Sequence, residues 1–259
     1  MALHHHTPLL HSLPLSQLTG KDIWLKMETA QPSASFKLRG MGLAAQRAVA
    51  KGATRLVSSS GGNAGYAVAW AGKSLGVPVT VVVPKTTDFR MRTKIMLTGA
   101  EVRVFGDVWD DAHTRAIELA RESGGALLHP FDHPDIWEGH ATMIDEVHAS
   151  GLRPGLVLVA VGGGGLLCGV LRGMEAKGWS DVPVLAIETA GAASFAAAKQ
   201  AGTAVTIPEI TSLAKTLGAK RVCDELMFLS AHHTVHSVVV SDAAAVKACV
   251  RFADDHRTL

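Results

Sequence analysis

The sequence predicts an α/β protein of two lobes, each built on a mainly parallel sheet flanked by helices. Two observations predict it. Short β-branched runs alternate with amphipathic segments of helical length along most of the 259 residues, the pattern of parallel strands joined by helical crossovers. Glycines also fall where helices should end, as in Gly76-Val77-Pro78, a stop followed directly by a strand.

In chain order, Ile23–Met27 reads as a strand. Pro32 disfavours helix at Gln31, so a helix over Leu38–Ala50 begins after it, with Ser35 as its expected N-cap. Strands follow at Arg55–Ser58, Val79–Val83 and Glu101–Phe105, and helices at Ala64–Leu75, Arg90–Thr98 and Ala112–Glu122, the last capped by Asp107 or Asp110. Phe131–Gly139, rich in turn residues and aromatics, reads as the loop where the chain crosses between lobes. A second series runs Leu156–Ala160, Leu166–Lys177, Val184–Ile187, Ala192–Ala201, Ser237–Val240 and Ala243–Asp254. Residues 31–133 are thus expected to form a small domain, and residues 1–30 with 134–259 a large one. Chains with two such series commonly bind ligand in the cleft between them.

Composition narrows the function. The chain is 47% hydrophobic and 19% charged with a net charge of +2, enough for a large core and without the basic tract that nucleic acid requires. No apolar run reaches the roughly 18 residues of a membrane span, and no signal-peptide core opens the chain. Three scattered cysteines fit a reducing cytoplasm rather than a disulfide scaffold. His4-His5-His6 reads as native sequence without a metal.

Three stretches carry candidate chemistry. Ser33–Gly40 sets Lys37 behind an aromatic ring at a helix start. A lysine there is ordinary surface by itself; the other two stretches change its meaning. Ser58-Ser59-Ser60-Gly61-Gly62-Asn63-Ala64-Gly65 lies between a strand and a helix, and its hydroxyls, N–H groups and amide suit a carboxylate and a ring oxygen. Gly162–Gly165 joins a strand to a helix N-terminus, where free N–H groups and the helix dipole favour an anion. An amine, a ring-edge donor and an anion cradle are what a phosphorylated aldehyde cofactor needs. The alternative is a dinucleotide loop, with Glu188 placed to bind a ribose. The glycines fail the G-x-G-x-x-G spacing, because Leu167 and Cys168 stand where the third glycine should be.

With those residues in hand, the chain resembles the pyridoxal-phosphate enzymes of fold type II, and within them the liver-type L-serine/L-threonine dehydratases. The resemblance rests on Ser35-Phe36-Lys37-Leu38-Arg39-Gly40, Ser60–Gly65, Pro130-Phe131-Asp132, Ile136-Trp137-Glu138-Gly139-His140, Gly162–Gly169 and Ile210-Thr211-Ser212. It implies pyridoxal 5'-phosphate held as a Schiff base on Lys37, with Phe36 against the ring, Asn63 on the ring oxygen, and Gly162, Gly163, Gly164, Gly165 and Leu166 around the phosphate. Ser60, Gly61, Gly62, Asn63 and Ala64 would take the substrate carboxylate. A monovalent cation, potassium above all, would sit at Glu188, Ala192, Ser194, Leu217 and Ala219.

The implied protein is a cytoplasmic homodimer that eliminates water and ammonia from L-serine and L-threonine. Relatives that racemise serine carry a serine at the place of Gly61, so glycine there implies elimination. The family continues past the position of Leu259 with a tail holding a Cys or Ser for the pyridine nitrogen. The chain is therefore expected to be truncated, or an inactive relative lacking that partner.

Overall fold

The structure, a computed structural model, describes residues 1–258; Leu259, past which the family tail is expected, lies outside the described residues. The chain divides into two compact units, Met1–His5 with Glu28–His140, and His6–Met27 with Ala141 onward.

The first unit holds a parallel sheet of β3 (Leu56–Ser58), β4 (Val79–Val83), β5 (Glu101–Val104) and β6 (Ala126–Leu128) in the order β5-β4-β3-β6. All five residues of β4 are buried, as a central strand covered on both faces demands. Its one polar member, Thr80, receives a hydrogen bond from Arg55 (2.8 Å) and donates to Glu101 (3.0 Å). Around the sheet run α2 (Lys37–Ala50), α3 (Asn63–Leu75), α4 (Phe89–Met96) and α5 (Trp109–Ser123). Val57 and Val82 pack on Ala112, Ala116 and Leu119 of α5. Gly76 ends α3 in the left-handed conformation at φ +68°, the geometry its sequence position predicts.

Three local expectations need correction. Ser35 does not cap α2. The helix starts at Lys37 with Phe36 as its first flanking residue, and the Ser35 hydroxyl is buried without a hydrogen-bond partner. Neither Asp107 nor Asp110 caps α5; Asp111 does, its carboxylate accepting the N–H groups of Asp107 (3.0 Å) and Val108 (3.3 Å). Phe131–Gly139 is not all loop, because α6 (Pro134–Ala149) begins inside it. Proline is at home in a helix's first turn, where its missing N–H costs nothing.

The second unit pairs β1 (Leu9–His11) with β2 (Trp24–Lys26) antiparallel. It contains α1 (Leu13–Thr19) and a parallel sheet of β7 (Val157–Ala160), β8 (Val184–Thr189) and β9 (Val235–Val240) in that order. The helices are α7 (Gly165–Ala176), α8 (Ser194–Ala201), α9 (Asp224–His232) and α10 (Asp242–His256). Leu167, Leu171, Met174, Phe195 and Leu226 are fully buried within it. Glu146 gathers the start of this unit, accepting the Lys26 amine and the Thr7 N–H (3.2 Å). No described helix is long and apolar enough to cross a membrane.

Candidate active site

In the first unit Lys37 opens α2 and its amine donates to the Pro130 carbonyl at 2.9 Å. The amine is enclosed, and loss of water lowers its pKa from the ordinary 10.5 to about 8. The Phe36 ring lies 5.1 Å from that nitrogen and 5.0 Å from the His140 ring, which meets it edge-on. His140 is fully buried and both its ring nitrogens lack hydrogen-bond partners. Burial first, then the charges of Lys37 and Arg39, hold it neutral, far below the usual histidine range. Its Cε1 would stand 2.7 Å from a β-carbon on Gly40, so the imidazole and the first turn of α2 fit only because residue 40 has no side chain.

Arg39 fixes that turn from below. Its guanidinium is completely buried and grips Glu28 with two parallel hydrogen bonds of 2.8 and 2.7 Å. The planar fork matches a carboxylate, which is how arginine tolerates such burial. Ala34, three residues before Lys37, takes φ +54°, a left-handed conformation that costs alanine more than glycine.

The loop Ser58–Gly65 leaves β3 and enters α3. Gly65 lets it fold closely, since a β-carbon there would collide with the Ser60 carbonyl. Ser58 and Ser59 are buried, whereas Asn63 stands exposed at the start of α3. Lys37, Phe36 and the 58–65 loop thus share one unit.

The glycine run belongs to the second unit. Gly164 has φ +95° and precedes α7, which starts at Gly165. A β-carbon on Gly162 would strike the Leu217 carbonyl, and one on Gly164 would meet Leu226 at 2.8 Å and the Cys223 sulfur at 3.2 Å. The Cys223 N–H donates to the Gly163 carbonyl at 3.0 Å. Gly162 and Gly164 thus present bare backbone at the start of α7.

Glu188, at the end of β8, is buried, and its two carboxylate oxygens accept the N–H groups of Phe195 (2.7 Å) and Ala196 (2.8 Å). Burial raises its pKa against those two hydrogen bonds. Glu188 thus receives the first N–H groups of α8. Ala192 and Ser194 are buried beside it, the Ser194 hydroxyl without a hydrogen-bond partner. Leu217 and Ala219 lie partly exposed in the segment before α9. Among the described residues no three His, Cys, Asp or Glu side chains cluster as a metal site.

Sequence reading missed Cys223, which backs the glycine run, and the histidines His113 and His129. His113 Nδ1 is hydrogen-bonded to Ser59 Oγ at 2.9 Å. Their partners are distant in sequence, and no motif flags them.

The first unit thus carries an enclosed lysine at a helix start, and the second a glycine run between a strand and a helix. The chain belongs to the family of pyridoxal-phosphate dependent enzymes, which it matches over residues 2–259. It is 49% identical to mouse serine dehydratase-like over 99% of this chain and 78% of that protein. It is 46% identical to human L-serine dehydratase/L-threonine deaminase over 99% and 79%. The crystal structure of an L-serine ammonia-lyase from the fungus Rhizomucor miehei superposes with a TM-score of 0.94 at 37% identity, covering 100% of this chain and 83% of that one.

Proposed function

We propose that this protein removes water and ammonia from L-serine, and also from L-threonine, with pyridoxal phosphate bound at Lys37. The observation that carries the reading is the Lys37 amine: enclosed, with its pKa lowered to about 8 and set against the Pro130 carbonyl at the start of α2. An amine so placed is partly neutral near pH 7–8, as a nucleophile and a base must be.

In this reading Phe36 packs on the cofactor ring, Asn63 bonds its ring oxygen, and Gly162–Gly165 with Leu166 hold its phosphate. Ser60–Ala64 receive the substrate carboxylate. The bound cofactor supplies an aldehyde for the amino group and a conjugated ring that accepts the electrons left when the α-proton departs. Lys37 takes that proton. The β-hydroxyl, protonated as it departs, would leave as water, and the enamine released would take up one water to give pyruvate and ammonia; threonine would give 2-oxobutyrate. Gly61 offers no group to return a proton from a second face, which favours elimination over racemisation.

Potassium at Glu188, Ala192, Ser194, Leu217 and Ala219 is part of the proposal. It is supported by the buried carboxylate and by the buried Ser194 hydroxyl beside it. The small domain of residues 31–133, a homodimeric state and a cytoplasmic setting complete it, the last in keeping with three free cysteines.

The test is Lys37→Ala. Parent protein should be yellow with cofactor, fix it on Lys37 with borohydride and release pyruvate from L-serine. The variant should do none of these while keeping its circular dichroism. Pyruvate release by a folded Lys37→Ala protein would overturn the reading.

A further inference from the structure

The loop expected to receive the substrate carboxylate is held only loosely by its own bonds. Ser60 N–H reaches Ser58 Oγ at 3.4 Å and Gly62 N–H reaches Ser60 Oγ at 3.3 Å, both at the weak end of the hydrogen-bond range. The short side-chain bond leaves the loop: Ser59 Oγ to His113 Nδ1, 2.9 Å. Ser59 is fully buried, so water cannot replace the imidazole without the loop moving.

His113 is itself held at one angle. It lies one turn beyond Trp109 on α5, and the two rings stack at 4.5 Å with 15° between planes. The ring of His129 meets it perpendicularly at 5.7 Å, and His129 meets Phe131 edge-on at 4.7 Å. His129 Nδ1 accepts the N–H of Asp132 at 2.8 Å and that of Phe131 at 3.4 Å, so the 129–132 turn is folded around its ring. Burial, reinforced by the nearby charges of His113, Lys37 and His133, lowers its pKa to about 4 and keeps Nδ1 an acceptor. The carbonyl inside that turn, Pro130, is the one that accepts the Lys37 amine. One column of rings therefore joins the 58–65 loop to the turn holding Lys37.

We infer that His113 is a positioning residue for the amino-acid substrate: through Ser59 it sets the shape of the loop that receives the α-carboxylate. The inference rests on the serine-eliminating reading and names the residue that tunes its grip on substrate. A packing role needs only the ring; a positioning role needs the nitrogen.

Three substitutions separate these. His113→Phe keeps the stack and removes Nδ1, His113→Asn places an amide where Nδ1 was, and Ser59→Ala removes the other partner. In cofactor-loaded protein with L-serine, His113→Phe should raise KM about five- to tenfold with kcat within about twofold, the loss of one buried hydrogen bond from substrate binding. His113→Asn should recover most of it. The double variant Ser59→Ala/His113→Phe should be no worse than His113→Phe alone, because both remove one bond. Amide hydrogen exchange across residues 58–65 should quicken in His113→Phe and Ser59→Ala and stay near parent in His113→Asn. An unchanged KM, a loss confined to kcat, or additive effects in the double variant would overturn the inference. If the parent fails to turn over serine, the serine reading falls; unchanged exchange in His113→Phe would then overturn the His113 inference separately.

Discussion

The Thr87 side chain fills the space that a side chain on Gly61 would need. A β-carbon at Gly61 would stand 2.5 Å from Thr87 Cγ2 and 2.7 Å from its Oγ1. Both distances are far inside van der Waals contact, and Thr87 is β-branched and cannot swing freely.

Gly61→Ser is therefore expected to distort the loop rather than simply add a hydroxyl, and serine turnover should fall at least about tenfold, the scale of an overpacked site. Gly61→Ser/Thr87→Ala opens the space and should recover turnover while yielding D-serine from L-serine. Chiral chromatography of the product decides it. D-serine from the single variant at undiminished turnover would show that Thr87 sets no limit.

Lys37 should mark the pH dependence of stability in cofactor-free protein. Its folded pKa of about 8 lies below its ordinary 10.5, so between those values the unfolded chain binds more protons and stability rises with pH. Below pH 8 the burial cost is present in full. Lys37→Met should flatten the rise and stabilise the protein at pH 7 by about 1–2 kcal/mol, less than the whole shift implies because the side chain is partly exposed. Denaturant titrations at pH 7, 8.5 and 10 measure both; parallel curves for the two proteins would refute it.

Gly164→Asp should weaken cofactor binding by about a hundredfold or more, since it adds strain at φ +95° and sets a negative charge in an anion cradle. Gly178→Asp is the control. It also has positive φ, but nothing lies within 4 Å of its β-carbon. Fluorescence titration with pyridoxal phosphate should show the loss in the first variant and near-parent affinity in the second.

Replacing Arg39 should destabilise the fold by about 2–4 kcal/mol, because two charge-assisted hydrogen bonds are lost and the mostly enclosed Glu28 carboxylate is left without its arginine. Arg39→Met is expected to lower the melting temperature and impair cofactor capture together. A melting temperature within a degree of the parent would show that the first turn of α2 stands without it.

Ala34→Gly should stabilise the protein by about 0.5–1 kcal/mol by relieving the left-handed conformation. Thermal melts at one scan rate compare the two; a lower melting point in the glycine variant would contradict the strain.

The sequence was legible where local chemistry decides. Val79–Val83 reads as a strand and is one, in the interior of its sheet, and Gly76 ends its helix as its position suggests. The start of α6 was obscured because Pro134 looks like a breaker but serves as a first-turn residue. Asp111 was passed over as a cap for Asp107 and Asp110, although only its carboxylate reaches the two free N–H groups. In the candidate site, Lys37, the 58–65 loop and the glycine run are recognisable by residue type. Their supports are not, because Ser59 and His113 are 54 residues apart and the Cys223–Gly163 bond spans a helix, a strand and another helix.

The two hairpin strands β1 and β2 belong to the second unit, yet Glu28–His140 of the first unit is spelled out before the rest of the second. Glu146, which accepts Thr7 and Lys26, and His256, whose ring bonds Ser12 at 2.7 Å, come later still. During synthesis the opening hairpin must therefore wait, unanchored, for more than a hundred residues. All residues of the lysine-bearing unit are present by His140, its first five included, which Gln31 ties in through both the N–H and the carbonyl of His5 at 2.9 Å. β1 and β2 can pair with each other at once, so only their anchors on Glu146 and His256 arrive late.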